Sequence, residues 1–140
     1  MIITFKVKHK GSFDKRLTNM VAGAQTILSN TGKAVERKAN SRKPDFVNIL
    51  RNEIITKDAA RVNIAVQTRE DDMHAYYEFH TGAAAKAYLA SADPEVRRIA
   101  RTYFKTGRGT LRGQPYFYPS FFEEAIRYIE KLKKYVRARA

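Results

Sequence analysis

Residues 2–8 read Ile-Ile-Thr-Phe-Lys-Val-Lys, with Ile3, Phe5 and Val7 on one face and Thr4, Lys6 and Lys8 on the other. That two-residue period predicts a half-buried strand. Lys10-Gly11-Ser12 interrupts it, and Ser12 is of the type that caps a helix by accepting from the free N–H groups of the first turn. Apolar residues then recur at Phe13, Leu17, Met20, Val21, Ala24, Ile27, Leu28, Ala34 and Val35, the three-four spacing of one helical stripe. The pattern predicts a helix from Phe13 to about Asn40, roughly 40 Å long at about 1.5 Å per residue. Gly32 weakens it by about 1 kcal/mol, and Asn30-Thr31-Gly32 is a candidate break. A helix of that length in a small chain is expected to leave part of its stripe for a neighbouring subunit.

Pro44 pushes the residue before it out of the α region and ends the helix. A short helical or irregular segment is expected through Phe46, Val47, Ile49 and Leu50. Residues 60–68 alternate with Val62, Ile64 and Val66 inward, the clearest strand in the chain, and Arg69-Glu70-Asp71-Asp72 reads as a polar turn. Met73 to Thr81 fits either strand or helix. Ala83–Ala90 and Pro94–Phe104 predict helices, the second with Ser91 or Asp93 as its cap and Pro94 in its first turn. A loop is expected over about 105–114, where three glycines alternate with basic residues. The last helix is predicted to start at Pro119 or Ser120, with Glu123 and Glu124 in its first turn and Lys131, Lys133, Lys134, Arg137 and Arg139 toward its end, an order that complements the helix dipole. Its stripe of Phe122, Ala125, Ile126, Ile129, Leu132 and Val136 is expected to pack on the sheet.

These elements predict an α+β fold: a small antiparallel or mixed sheet, packed by a long N-terminal helix and a C-terminal amphipathic helix, with a helical insertion around 83–106. The 140 residues have room for one core, so 1–140 is read as a single domain. A composition 44% hydrophobic supplies that core. Twenty-seven Lys and Arg against 14 Asp and Glu leave a net charge of +13, which attracts polyanions and makes association salt-dependent. The chain has no cysteine, which excludes disulfides and thiolate chemistry. No basic start followed by an apolar run, and no stretch of about 18 apolar residues, predicts a signal peptide or a membrane span.

Enzyme signatures are missing. Gly107-Arg108-Gly109 neither follows a clear strand nor opens a helix, and so does not read as a phosphate-cradling loop. His74 and His80 share a face only on a strand; on a helix six residues turn them apart, so a metal site has no support beyond their proximity. Nothing resembles a nucleophile elbow, and Asp71-Asp72 and Glu123-Glu124 are explained by a turn and a helix start. No catalytic residue, cofactor or metal is assigned. The basic, aromatic-bearing stretch holding Arg97, Arg98, Arg101, Lys105, Arg108 and Arg112 is the candidate contact for DNA or for an acidic protein partner.

Two patches stand apart from this pattern: Ala75-Tyr76-Tyr77-Glu78-Phe79-His80-Thr81-Gly82 and Gly113-Gln114-Pro115-Tyr116-Phe117-Tyr118-Pro119-Ser120. Together they resemble a family of small tailed-bacteriophage proteins of the neck, or tail-completion, type. In that family an aromatic-x-x-Glu-Phe-Gly-Thr patch is followed by Gln/Arg-Pro-Phe-Leu-x-Pro-Ala and a final helix. Here His80 stands where the family usually has Gly, Tyr116-Phe117 replaces Phe-Leu, and residues 83–112 are longer than the usual linker. The resemblance implies a non-enzymatic virion protein at the head–tail junction, assembled in the host cytoplasm. It further implies a homo-oligomeric ring, hexamer or dodecamer, that joins the capsid connector or adaptor to tail terminator or tube proteins and lets genomic DNA pass its lumen. Tyr76, Tyr77, Glu78, Phe79, Pro115, Tyr116, Phe117 and Tyr118 are then the interface candidates, with large rigid rings held on a proline-stiffened segment. The residues alone leave two rivals: a small basic nucleic-acid-binding protein, and an RNase-like toxin using His74 and His80.

Overall fold

A computed structural model describes residues 2–8, 15–57, 59–68, 72–103, 109 and 111–139. Three strands and five helices occur among them: β1 (Ile2–Lys8), α1 (Lys15–Arg42), β2 (Val47–Ile55), β3 (Ala59–Thr68), α2 (Met73–Phe79), α3 (Gly82–Ala90), α4 (Pro94–Arg101) and α5 (Tyr118–Arg139). The fold is α+β. Its sheet is antiparallel throughout, in the order β1-β3-β2, with Ile3 opposite Ile64, Phe5 opposite Val62 and Ile49 opposite Val66. The strand with the cleanest alternation is therefore the central one, and both β1 and β2 are edges.

The segment expected to be helical or irregular after Pro44 is the strand β2. Its local pattern is mixed, with Val47 and Ile49 buried but Leu50, Ile54 and Ile55 exposed. Pairing with β3 across a short connection decides its conformation, a tertiary effect that outweighs weak local preference. Gln25 of α1 ties that connection down, its amide donating at 2.9 Å to the carbonyls of both Thr56 and Ala59. Arg51 on β2 reaches Glu36 of α1, and Ser29 of α1 donates to Glu53 at 2.8 Å.

α1 is the central layer, with the sheet against one side and α5 against another. Leu28, Val35 and Ala39 are fully buried, and no large apolar side chain of α1 is exposed among the described residues. From Met20 on, the stripe expected to await a neighbour is therefore covered within the chain or half-buried. The suspected break at Gly32 is continuous helix, and its glycine has a packing reason. A Cβ on Gly32 would lie 2.5 Å from Cγ1 of Val62 on β3, and one on Gly23 would lie 1.8 Å from the Tyr135 hydroxyl of α5. Nine residues at about 100° each put the two glycines on opposite sides of α1. Each one lets a different layer approach closely.

α5 does not pack on the sheet as its apolar stripe predicts. It runs antiparallel to α1, with Lys38 and Arg42 meeting Glu123 at 3.0 and 3.1 Å near one end and the Tyr135 hydroxyl donating to the Asn19 carbonyl at 3.3 Å near the other. The face turned inward carries Ser120, Glu124, Tyr128 and Leu132, leaving Phe122, Ile126, Ile129 and Val136 exposed. The pattern misleads because ion pairs and tyrosines do the packing, and periodicity reads such positions as surface. Asp93 caps α4, accepting from the Glu95 N–H at 2.9 Å, with Pro94 at the first position. Ser12, Phe13, Arg69–Asp71 and Phe104 lie outside the described residues.

Candidate functional site

The two unusual patches meet. Glu78, near the end of α2, is fully buried, and its carboxylate accepts three backbone hydrogen bonds: Tyr116 N–H and Phe117 N–H at 2.8 Å to Oε2, and Tyr118 N–H at 2.9 Å to Oε1. The first helical bond of α5 runs from Phe121 N–H to the Phe117 carbonyl at 2.9 Å, so Glu78 sits on the helix N-terminus. It satisfies donors that helix geometry leaves open and places an anion at the positive end of the dipole. The expectation that Glu123 and Glu124 fill this role is corrected. α5 begins earlier, at Tyr118, no acidic residue of its own lies in its first turn, and both glutamates turn to Lys38 instead.

Side chains close the knot. The Tyr116 hydroxyl donates to the His74 carbonyl at 3.0 Å, Ser120 donates to the Tyr116 carbonyl at 2.6 Å, and Arg42 of α1 donates to Ser120 at 3.2 Å. Phe79 stacks on Tyr118 with ring centroids 5.8 Å apart. Burial pushes the Glu78 carboxyl pKa above the ordinary carboxylate value, while the three N–H donors pull it down. Burial also raises Tyr88, to about 12, with the Glu78 charge adding to the effect.

His80 follows α2 with φ of 65° and ψ of −170°, a backbone region open essentially to glycine. The position where the resembled family has glycine therefore demands a glycine-like backbone. Its ring packs edge-on against Tyr88 at 5.2 Å, and burial, then the nearby Arg112 charge, hold its pKa below the usual imidazole value. Thr81 anchors the returning chain: its N–H donates to the Leu111 carbonyl at 3.0 Å, and its hydroxyl accepts from the Leu111 N–H at 2.8 Å. A Cβ on Gly113 would lie 2.3 Å from the Tyr77 carbonyl oxygen, so that glycine admits close backbone approach. Of the loop expected over 105–114, the described residues 109 and 111–114 include these anchored positions.

Of the interface candidates, Glu78, Phe79, Tyr116, Phe117 and Tyr118 are buried within the chain itself. They build a junction, and a neighbour would not meet them on the described surface. Tyr76, Tyr77 and Pro115 are half-buried. Of the basic candidates, Arg98 and Arg101 on α4 are exposed, Arg98 being ion-paired with Glu95, Arg97 is half-buried and Arg112 is exposed. Lys105 and Arg108 lie outside the described residues. His74 is buried on α2 and His80 lies beyond its end, packed on different neighbours, and no cluster of three metal-ligating side chains occurs among the described residues.

The surfaces that pattern reading missed are apolar. One is the outer stripe of α5, Phe122, Ile126, Ile129 and Val136, with Ile126 61% exposed. Beside its N-terminal end opens a groove of about 600 Å³ lined by Tyr88, Ala92, Val96 and Tyr118 as well as Phe122 and Ile126. The other is on the edge strand β2, where Leu50 and Ile54 are exposed on one face and Ile55 on the opposite one. The chain matches no family model, no curated protein and no solved structure. No helix among the described residues is long and apolar enough to cross a membrane.

Proposed function

We propose that this chain is a structural subunit of the bacteriophage head–tail junction, of the neck or tail-completion kind, and works as a ring that joins connector to tail and lets DNA pass. The observation that carries this reading is the exposure of two separate apolar surfaces, one on α5 and one on β2, in different layers of the molecule. Exposed apolar side chains gathered along one element, as on α5, mark contact with other proteins. A joining subunit needs two such surfaces, one for its own copies and one for the next component. Contact between a β2 edge and a different surface on the next copy is heterologous, and heterologous contacts close into rings when the rotation permits. The meeting of the two resembling patches at Glu78 supports the same reading, because it gives both segments one structural reason to occur together.

Mass measurement in solution, at low and high salt with nucleic acid removed, tests this. A discrete large oligomer is expected, alone or on addition of purified connector and tail parts. A chain that stays monomeric in their presence overturns it. The charge of +13 favours a second reading, a free-standing nucleic-acid binder, which predicts tight and steeply salt-dependent DNA binding by that monomer.

A further inference from the structure

We propose that the outer stripe of α5, with the groove at its N-terminal end, receives an amphipathic helix with acidic flanks from a different protein. The inference rests on the joining role only for where that protein comes from; the site itself stands on this chain's geometry.

Phe122, Ile126, Ile129 and Val136 follow one another at spacings of four, three and seven, so they form a single line along the helix. At about 100° per residue this line sits roughly 110° round from the face held by Glu124, Tyr128 and Leu132 against α1. α5 therefore has two apolar faces, of which α1 covers one. The open line spans about 21 Å at roughly 1.5 Å per residue, a match for about four turns of a partner helix. The groove extends the line at one end and supplies pockets for anchoring side chains, the arrangement by which helices are bound in grooves.

Charge selects the occupant. Exposed Lys133 falls within the line, Arg137 lies beside it and Lys134 farther round, on a flank shared with Glu130 and with Glu123, the latter held by Lys38 and Arg42. An approaching helix with Asp or Glu beside its apolar face meets complementary charge, which favours encounter and orientation. A second copy of this chain fits less well. It carries +13, and of the glutamates that its own α5 would bring, Glu123 and Glu124 are ion-paired with Lys38, Arg42 and Arg127, which leaves Glu130 alone to face the basic residues of the stripe.

The test uses the full chain and a fluorescent synthetic peptide of about five turns, with Leu at i, i+3, i+4 and i+7 positions and Glu on the flanks. Controls are a scrambled peptide of the same composition and one with Lys flanks. The acidic amphipathic peptide is expected to bind saturably and more weakly as salt rises, and the Lys-flanked one at least about tenfold more weakly. Ile126→Asp is expected to reduce binding at least about tenfold with thermal stability kept, since its side chain is exposed. Lys133→Glu with Lys134→Glu and Arg137→Glu is expected to reverse the preference between Glu and Lys flanks. No binding by the acidic peptide, equal binding of the scrambled one, or indifference to Ile126→Asp overturns the proposal. So does a fall in the mass of the chain alone on Ile126→Asp, which assigns the stripe to contact between copies. Loss of the ring with the peptide site intact would count against the joining role and not against this site.

Discussion

The start of α5 and the rest of α5 have opposite characters. At its start, a buried carboxylate from another helix accepts three backbone N–H groups, and four aromatic rings close over the junction. Farther along, isoleucines and a valine stand in the open on a helix already packed along its other face. The residues that look like chemistry, a glutamate among tyrosines and histidines, serve the fold. The plain aliphatic ones stay exposed. Buried polar groups must be satisfied inside the chain, because an unsatisfied one costs about 1–3 kcal/mol, whereas exposed aliphatic side chains cost little until a partner covers them.

That contrast breaks most sharply at Glu78. Glu78→Ala leaves three buried N–H donors without an acceptor and is expected to destabilise by about 4 kcal/mol, read as a lower denaturant midpoint with unchanged slope. Glu78→Gln keeps one oxygen but aims an amide at donors, and is expected to lose about half as much. Near-normal stability in both variants would remove Glu78 as the organiser of the junction. Gly113→Ala is expected next, at about 2–3 kcal/mol, because its Cβ would press on the Tyr77 backbone, which cannot move aside as a side chain can. His80→Gly is expected to go the other way, raising stability by about 1 kcal/mol as the strained φ is relieved, net of the lost contact with Tyr88.

On the open surfaces the expected stability changes are small and the association changes large. Leu50→Lys with Ile54→Lys should leave the thermal midpoint within about 0.5 kcal/mol of the parent in free-energy terms and abolish the large oligomer; an unchanged mass would take β2 out of the assembly. The smallest effect concerns pH. Arg42, then Lys38, hold the Glu123 carboxyl below its usual pKa, so the stability it contributes is present above the ordinary carboxylate value and is lost as pH falls through the lowered one. Glu123 is 44% exposed, which screens the pair and keeps the loss small. Glu123→Gln should flatten the acid limb of a stability–pH curve slightly.

Much of the fold is legible in the chain: β1 and β3 from their alternation, α1 from its apolar spacing, α4 from Asp93 and Pro94, and the α+β class from the order of elements. These are local properties, set within a few residues by side-chain period and capping. β2 was not legible, since it is a strand through pairing with β3. Nor was the inward face of α5, which is chosen by Lys38, Arg42 and the notch at Gly23, all of them remote in sequence. The two patches around Glu78 and Pro115 could be picked out by composition, but that one carboxylate serves three N–H groups some 40 positions away needed the folded chain. Periodicity identifies what a residue can bury; which of two apolar faces is covered, and which stays open, is decided only when distant segments compete for the same surface.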